Sequence, residues 1–166
     1  MSYEAVTVYL GLGSNMGNRK DNLDKGLEFL SHRAQIGQVS SIYDTVPEGD
    51  TEQPRFLNLA CQIFTRLAPI ELLTLVKGIE SKLGRTPGKS NAPRPLDIDI
   101  LFYGDQIIDN PKLVIPHPRI AERDFVLVPL AEIAPELVHP VSGKTVKQLL
   151  EGLEKGVQGM FKWEEN

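Results

Sequence analysis

Phe56-Leu57-Asn58-Leu59-Ala60-Cys61-Gln62-Ile63-Phe64-Thr65 is the most regularly alternating stretch of this 166-residue chain. Side chains alternate across a strand, so Leu57, Leu59, Cys61 and Ile63 face one way, and Phe56, Asn58, Ala60, Gln62 and Phe64 the other. Beyond it, Pro69 suits the first turn of a helix. Leu72, Leu73, Val76, Ile79, Glu80 and Leu83 continue one stripe, and Gly84 is a natural stop. Before it, Val46 to Pro54 reads as a loop, and Gln35 to Thr45 as a strand in which Ile36, Val39, Ile42 and Tyr43 alternate imperfectly. Further out, Val6 to Leu12 is predicted as a strand, Gly13 to Asn18 as a turn, and Arg19 to Leu30 as a helix carrying Leu23, Leu27 and Leu30.

Arg85 to Ala92 has no periodicity and reads as a second loop, basic at Arg85 and Lys89. After Pro93 and Pro95, which lack amide donors, Asp97 to Tyr103 reads as a strand. The order is then βαββαβ. This predicts an α+β, ferredoxin-like sandwich, mainly an antiparallel sheet with helices packed on it. Appended elements follow: short strands at Gln106 to Ile108 and Leu113 to Ile115, a helix over Phe125 to Ile133 despite Pro129, and a closing helix over Thr145 to Leu153. The polar tail from Glu154 is expected to fray. A single domain is expected, its core spanning about residues 6 to 150.

Hydrophobic residues make up 41% and charged residues 24%, with a formal net charge of −4. No long basic run is present, which disfavours nucleic acid, although a local basic pocket can still hold an anion. No apolar stretch approaches the ~20 residues that cross a bilayer. The N-terminus lacks a signal-peptide pattern, and the lone Cys61 reads as a buried, inert thiol. A cytoplasmic protein is expected.

Alternation puts Asp97, Asp99, Leu101 and Tyr103 on one face, and Ile98, Ile100 and Phe102 on the other. The two aspartate α-carbons are then roughly 7 Å apart. Their carboxylates repel unless a proton, a base or a hard cation lies between them, so the pair reads as a magnesium site or as a solvated strand end. In Ile115-Pro116-His117-Pro118-Arg119, two prolines clamp a histidine, and Arg123 follows. A stiff turn of this kind suits phosphate oxygens, or is a surface loop with solvated arginines. Phe56 beside Asn58 can stack on and read the edge of a flat heterocycle, or can be core plus a satisfied amide. Three nucleotide motifs are decoys. Gly11 to Gly17 has one residue too many for a dinucleotide fingerprint, Gly84 to Ser90 is one short of a phosphate loop, and Ser142 to Thr145 lacks the first glycine, with Val138 in its place.

Gly11-Leu12-Gly13-Ser14-Asn15, Phe56-Leu57-Asn58, Arg94-Pro95-Leu96-Asp97-Ile98-Asp99-Ile100-Leu101, Pro116-His117-Pro118-Arg119 and Arg123-Asp124-Phe125-Val126-Leu127-Val128-Pro129-Leu130 occur in this order. Together they resemble the 6-hydroxymethyl-7,8-dihydropterin pyrophosphokinase family of folate biosynthesis. The resemblance implies a ferredoxin-like fold and Mg²⁺-dependent transfer of diphosphate from ATP to the pterin's hydroxymethyl group, releasing AMP. It implies that Asp97 and Asp99 hold two Mg²⁺ ions, with Arg85 and Arg94 also catalytic. It places Leu73, Lys77, Glu80, Arg85, Arg94, Ile100, Lys112, His117 and Arg123 at the ATP site. It places Thr45, Val46, Pro47, Glu48, Phe56, Asn58, Asp97 and Phe125 at the pterin site. Val46 to Arg55 and Arg85 to Pro93 match mobile segments that close over the substrates. The partners implied are these two small molecules, with no nucleic acid and no membrane, and a monomer is expected. Asn91 and Ala92 depart from the family, where some members carry tryptophan and glycine, and Pro95 replaces a usual small hydroxyl residue. The rival readings are a nucleotidyltransferase of the same fold class and a non-catalytic sensor domain.

Overall fold

The computed structural model describes residues 4–47, 52–84 and 93–164. In chain order, its first part comprises β1 (Val6–Ser14), α1 (Arg19–Ser31), β2 (Gln35–Val39), β3 (Tyr43–Thr45), β4 (Phe56–Thr65), α2 (Pro69–Lys82) and β5 (Asp97–Tyr103). The strands order as β5-β1-β4-β3, with β2 also on β4, and every pairing is antiparallel. This is the expected α+β sandwich. The first sheet face and the inner faces of α1 and α2 share a core that includes Val8, Leu10, Leu57, Cys61, Ile63, Leu23, Leu30, Leu72 and Val76. Burial pushes the Cys61 thiol up to about 12, in keeping with an inert thiol.

The helix ends are set locally. Asn18 Oδ1 accepts from Asp21 N at the start of α1, and Glu71 Oε1 accepts from Ala68 N at the start of α2. Gly84, at φ +95°, follows α2 in the left-handed region that favours glycine.

Three sequence expectations are corrected. The run from Gln35 to Thr45 is two strands separated at residues 40–42, and within β2 the pairing with β4 already slips between Ile36 and Val39. Ser40 bridges the break: its amide donates to Ala60 O and its hydroxyl accepts from Ala60 N, each at 2.9 Å. A hydroxyl there stands in for a ladder carbonyl, which is why the alternation blurs in this segment.

The far end of β5 also departs from strict alternation. Tyr9 pairs with Phe102 and Leu10 with Ile100, which leaves Leu101 as an extra residue, a β-bulge. The faces of the next two residues therefore exchange. Tyr103 joins Ile98 and Ile100 under α1 and α2, while Phe102 joins Leu101 on the opposite side.

The appended elements are a hairpin of β6 (Ile108–Asn110) and β7 (Leu113–Ile115), whose Ile108, Leu113 and Ile115 extend the first core, and, on that opposite side, a 3₁₀ turn (Ile120–Glu122), α3 (Asp124–Ile133) and α4 (Val146–Glu151). Leu101, Phe102, Ala60, Ile120, Val126, Leu127, Leu130, Val146 and Leu149 form a second core there, so the sheet is covered on both faces. Thr145 and Gln148 close a capping box at the start of α4, and the Ser142-Gly143 decoy sits in the turn before it.

The third correction concerns the tail. It adds β8 (Phe161–Lys162) beside β3, and Trp163 packs against the main core with its amide donating to Ile42 O at 2.8 Å. No described helix is long and apolar enough to cross a membrane.

Gly26 lets α1 approach the sheet closely, since a Cβ there would lie 2.9 Å from Leu96 Cδ2 and 3.2 Å from Leu12 Cδ2. Gly26→Val is expected to cost about 1–3 kcal/mol by overpacking. Equilibrium urea unfolding checks this, and an unchanged midpoint would contradict the close approach.

Candidate active site

Two rows of residues cross the sheet between β5, β1 and β4. Asp97 pairs with Gly13, which pairs with Asn58; Asp99 pairs with Gly11, which pairs with Ala60. The glycines form the floor between the carboxylates on one side and the Phe56/Asn58 face on the other. A Cβ on Gly13 would meet Asn58 Oδ1 at 2.5 Å and Phe56 Cδ1 at 3.4 Å, so glycine here makes room for the amide. Asn58 Nδ2 in turn donates to Thr45 Oγ1 at 2.6 Å, which fixes the orientation of the amide.

Over this floor lies a cleft of about 410 Å³. Asp97 and Asp99 form its acidic part, and Lys77, Arg94, His117, Arg119 and Arg123 its basic part. Phe56 and Phe125 supply aromatic walls, and Thr45, Val46 and Pro47 close one side. Each ring carries a guanidinium: Arg94 Cζ lies 5.7 Å from the centre of Phe56, and Arg123 Cζ 5.5 Å from that of Phe125.

The local structure explains these positions. The bulged Leu101 offers its carbonyl to His117 N at 3.1 Å, which docks the Pro-His-Pro turn onto β5. The Ile115–Pro116 bond in that turn is cis. His117 Nδ1 accepts from Arg119 N at 3.3 Å, which favours the tautomer with its proton on Nε2. Asn15, 1% exposed, ties the other rim together. Its Oδ1 accepts from Arg94 N at 2.8 Å, and its Nδ2 donates to Gln53 Oε1 at 3.1 Å and to Pro54 O at 3.3 Å. Arg94 Nε is buried with no hydrogen-bond acceptor among the described residues. A buried donor left so is costly and is suited to an incoming anion.

The matching family model is 7,8-dihydro-6-hydroxymethylpterin-pyrophosphokinase (HPPK), over residues 9–135. The chain belongs to this family. It is 41% identical over 143 residues to the 2-amino-4-hydroxy-6-hydroxymethyldihydropteridine pyrophosphokinase of Aquifex aeolicus, covering 86% of this chain and 89% of that protein. It is 40% identical over 151 residues to the folic acid synthesis protein fol1 of Pneumocystis carinii. That match covers 90% of this chain but only 20% of that longer protein, so the chain spans about a fifth of it. Among solved structures, wild-type Plasmodium falciparum HPPK-DHPS superposes with a TM-score of 0.69 over 88% of this chain and 41% of that one. At 18% identity that likeness carries the fold alone.

Of the residues expected at an HPPK site, the cleft gathers Thr45, Val46, Pro47, Phe56, Asn58, Lys77, Arg94, Asp97, Asp99, His117, Arg123 and Phe125. Glu48 and Arg85 lie outside the described residues, as do Asn91, Ala92 and most of the segments expected to close. Leu73, Glu80, Ile100 and Lys112 do not line the cleft. Leu73 packs at the edge of the main core, Ile100 lies within it, and Lys112 sits exposed in the β6–β7 turn. Glu80 is buried behind β5, where its Oε2 accepts from Ile98 N at 2.8 Å, between the two aspartates. The sequence reading missed Gly11 and Gly13 as lining residues, and with them Leu12, Gln53, Leu59, Ala60, Leu101 and Val126. Its signal for the first two was available: glycine at alternate positions of a strand bares one face.

Burial, first, and then the Asp97 carboxylate push the Asp99 carboxyl from 3.8 up to about 7; Arg123 and Lys77 pull it down and Glu80 adds to the rise. A carboxyl raised by folding keeps its proton in the fold after the unfolded chain has lost it. The metal-free fold should therefore lose stability as pH rises through the 4-to-7 window. Asp99→Asn is expected to stabilise the protein in EDTA at pH 8 and to leave it nearly unchanged at pH 4. Urea unfolding at the two pH values checks this; equal effects at both would contradict it.

Proposed function

We propose that this chain transfers a diphosphoryl group from ATP to the hydroxymethyl group of 6-hydroxymethyl-7,8-dihydropterin, releasing AMP, as a folate-biosynthesis enzyme of the cytoplasm. The observation that carries the reading is one cleft in which paired strand carboxylates, a cationic rim and a Phe/Asn face meet. Membership of the HPPK family and the full-length match to the Aquifex enzyme support it. The reading takes the enzyme as a monomer.

The pterin is a flat heterocycle with donors and acceptors along one edge. Phe56 and Phe125 offer faces for stacking, and Asn58, oriented by Thr45, reads the edge. The triphosphate meets Lys77, Arg94, His117, Arg119 and Arg123. The buried Arg94 Nε gains an acceptor there, and His117 donates from Nε2. The substrate hydroxyl oxygen bonds to the β-phosphorus as the bond from that phosphorus to the α–β bridging oxygen breaks. AMP leaves with that oxygen, and the hydroxyl proton passes to solvent. The chain's own contribution is in-line positioning and stabilisation of charge on the transferred group.

Asp97 and Asp99 suit Mg²⁺, two ions of which are expected to arrive with the nucleotide. Among the described residues no cluster of three or more His, Cys, Asp or Glu side chains forms a metal site. Two carboxylates fit this ion nonetheless, because magnesium commonly takes one or two from the protein and the rest from phosphates and water. The strain of ionising Asp99 beside Asp97 gives the cation a second reason to bind. Asp97 and Asp99 would hold the cation, whose bound charge would offset theirs and polarise the phosphates.

The protein mixed with Mg²⁺, ATP and the pterin alcohol is expected to give AMP by ion-exchange chromatography. ADP would mean ordinary phosphoryl transfer, and no product would favour a sensor domain. Asp97→Ala is expected to lower turnover about 10²-fold or more without unfolding the chain; near-normal turnover would rule out the metal assignment. Gly13→Ala, which forces Asn58 to move, is expected to raise the pterin KM by about tenfold, equivalent to ~1.4 kcal/mol, while sparing the ATP KM.

A further inference from the structure

We propose that the C-terminal segment from Gln158 to Trp163 belongs to the pterin-binding apparatus, bracing from behind the residues that shape that end of the cleft. The proposal rests on the pterin reading above and adds residues to it that touch no substrate.

Three separate contacts carry it. The first is at Val46, which lines the cleft: Gly159, at φ +61°, lies so close that a Cβ on it would stand 2.5 Å from Val46 Cγ2. The second is at Arg55, the residue before Phe56. Arg55 Nε donates to Asp44 Oδ1, and Arg55 Nη2 donates to Asp44 O and to Gly159 O. Its Cζ lies 5.1 Å from the centre of the Phe161 ring. Asp44 and Phe161 are cross-strand partners in the β3–β8 ladder, so the guanidinium is held between a carboxylate and an aromatic face. The third is at Asp124, between Arg123 and Phe125: its Oδ2 accepts from Gln158 N at 3.0 Å. At the far end, Trp163 N bonds to Ile42 O and its ring packs on the main core, which anchors the brace to the rigid part of the fold.

Each contact is thus on a wall residue or one position from it, and the walls concerned are those at Val46, Phe56 and Phe125. Asp124 adjoins Arg123 as well as Phe125, but the contacts at Val46 and Arg55, made by Gly159 and Phe161, touch none of the residues assigned to the triphosphate. Changes at Gly159 and Phe161 should therefore act on the pterin and leave ATP binding alone. Holding the walls in place before the substrate arrives lowers the ordering cost of binding.

Phe161 is 57% exposed, so its truncation leaves both cores packed. Phe161→Ala and Gly159→Ala in the full chain are the test, with Phe161→Trp as the conservative variant. Both alanine variants are expected to raise the pterin KM about three- to tenfold with the ATP KM unchanged, and Phe161→Trp to stay near wild type. Trp163, the chain's one tryptophan, gives a second readout: its fluorescence should change on pterin addition in the wild type and respond less in Phe161→Ala. Pterin KM values unchanged in both alanine variants, or a parallel rise in both substrates' KM values with a lowered Tm, would overturn the proposal. If the wild type yields no AMP, the pterin reading itself fails and the brace with it; AMP from the wild type with unaltered variants removes the brace alone.

Discussion

The antiparallel register of β1 between β4 and β5 is the constraint on which the rest of the structure depends. It brings Asp97 and Asn58, residues 39 positions apart in the chain, into one row across Gly13. A slip of one residue on either side would turn a carboxylate or the amide into the α1–α2 core. The apolar residues between them fix that register. Leu57, Leu59, Ile98 and Ile100 are all buried beneath the helices, and moving any of them to the cleft side would cost about 1.5–3 kcal/mol each in lost burial. The hydrophobic core thus positions polar groups that it never touches.

The polar rim depends on that frame through a few backbone bonds. Asn15 holds Arg94 and the Gln53–Pro54 side of the cleft to the end of β1, and Glu80 holds the Ile98 amide from behind. Both are nearly fully buried, so their side chains cannot exchange these partners for water, and losing either would leave donors unpaired. Neither supplies chemistry. They set where the cationic and acidic groups stand.

Much of this was legible in the sequence because period-two and helical patterns report burial directly. The β4 alternation, the α2 stripe and its stop at Gly84 all follow the reading of the chain. The failures share a cause: a single residue broke the pattern for a reason made elsewhere. Ser40 substitutes a hydroxyl for a ladder group, Leu101 is inserted beside Tyr9, and the tail becomes a strand only because β3 offers an open edge. At the site, residue types that carry charge or rings were readable. Gly11 and Gly13 are easily passed over, since their contribution is the side chain they lack and only their alternate spacing marks the bared face. The resemblance gives Leu73, Glu80 and Ile100 to the nucleotide site; Glu80 and Ile100 lie on the α2 side of β5, where a supporting group cannot be told from a lining one by sequence alone.

The bulge at Leu101 makes β5 a regular six-residue strand with one residue spliced in. Shortened by that residue, the ladder from Ile100 to Phe102 would close without disturbing the face of any other side chain. What would be lost is the carbonyl that receives His117 N and the leucine over Gly11. The position of the imidazole at the cleft thus traces to an insertion that the strand itself does not need. Its place in the chain is set by the neighbouring turn, and the sheet accommodates it as a guest.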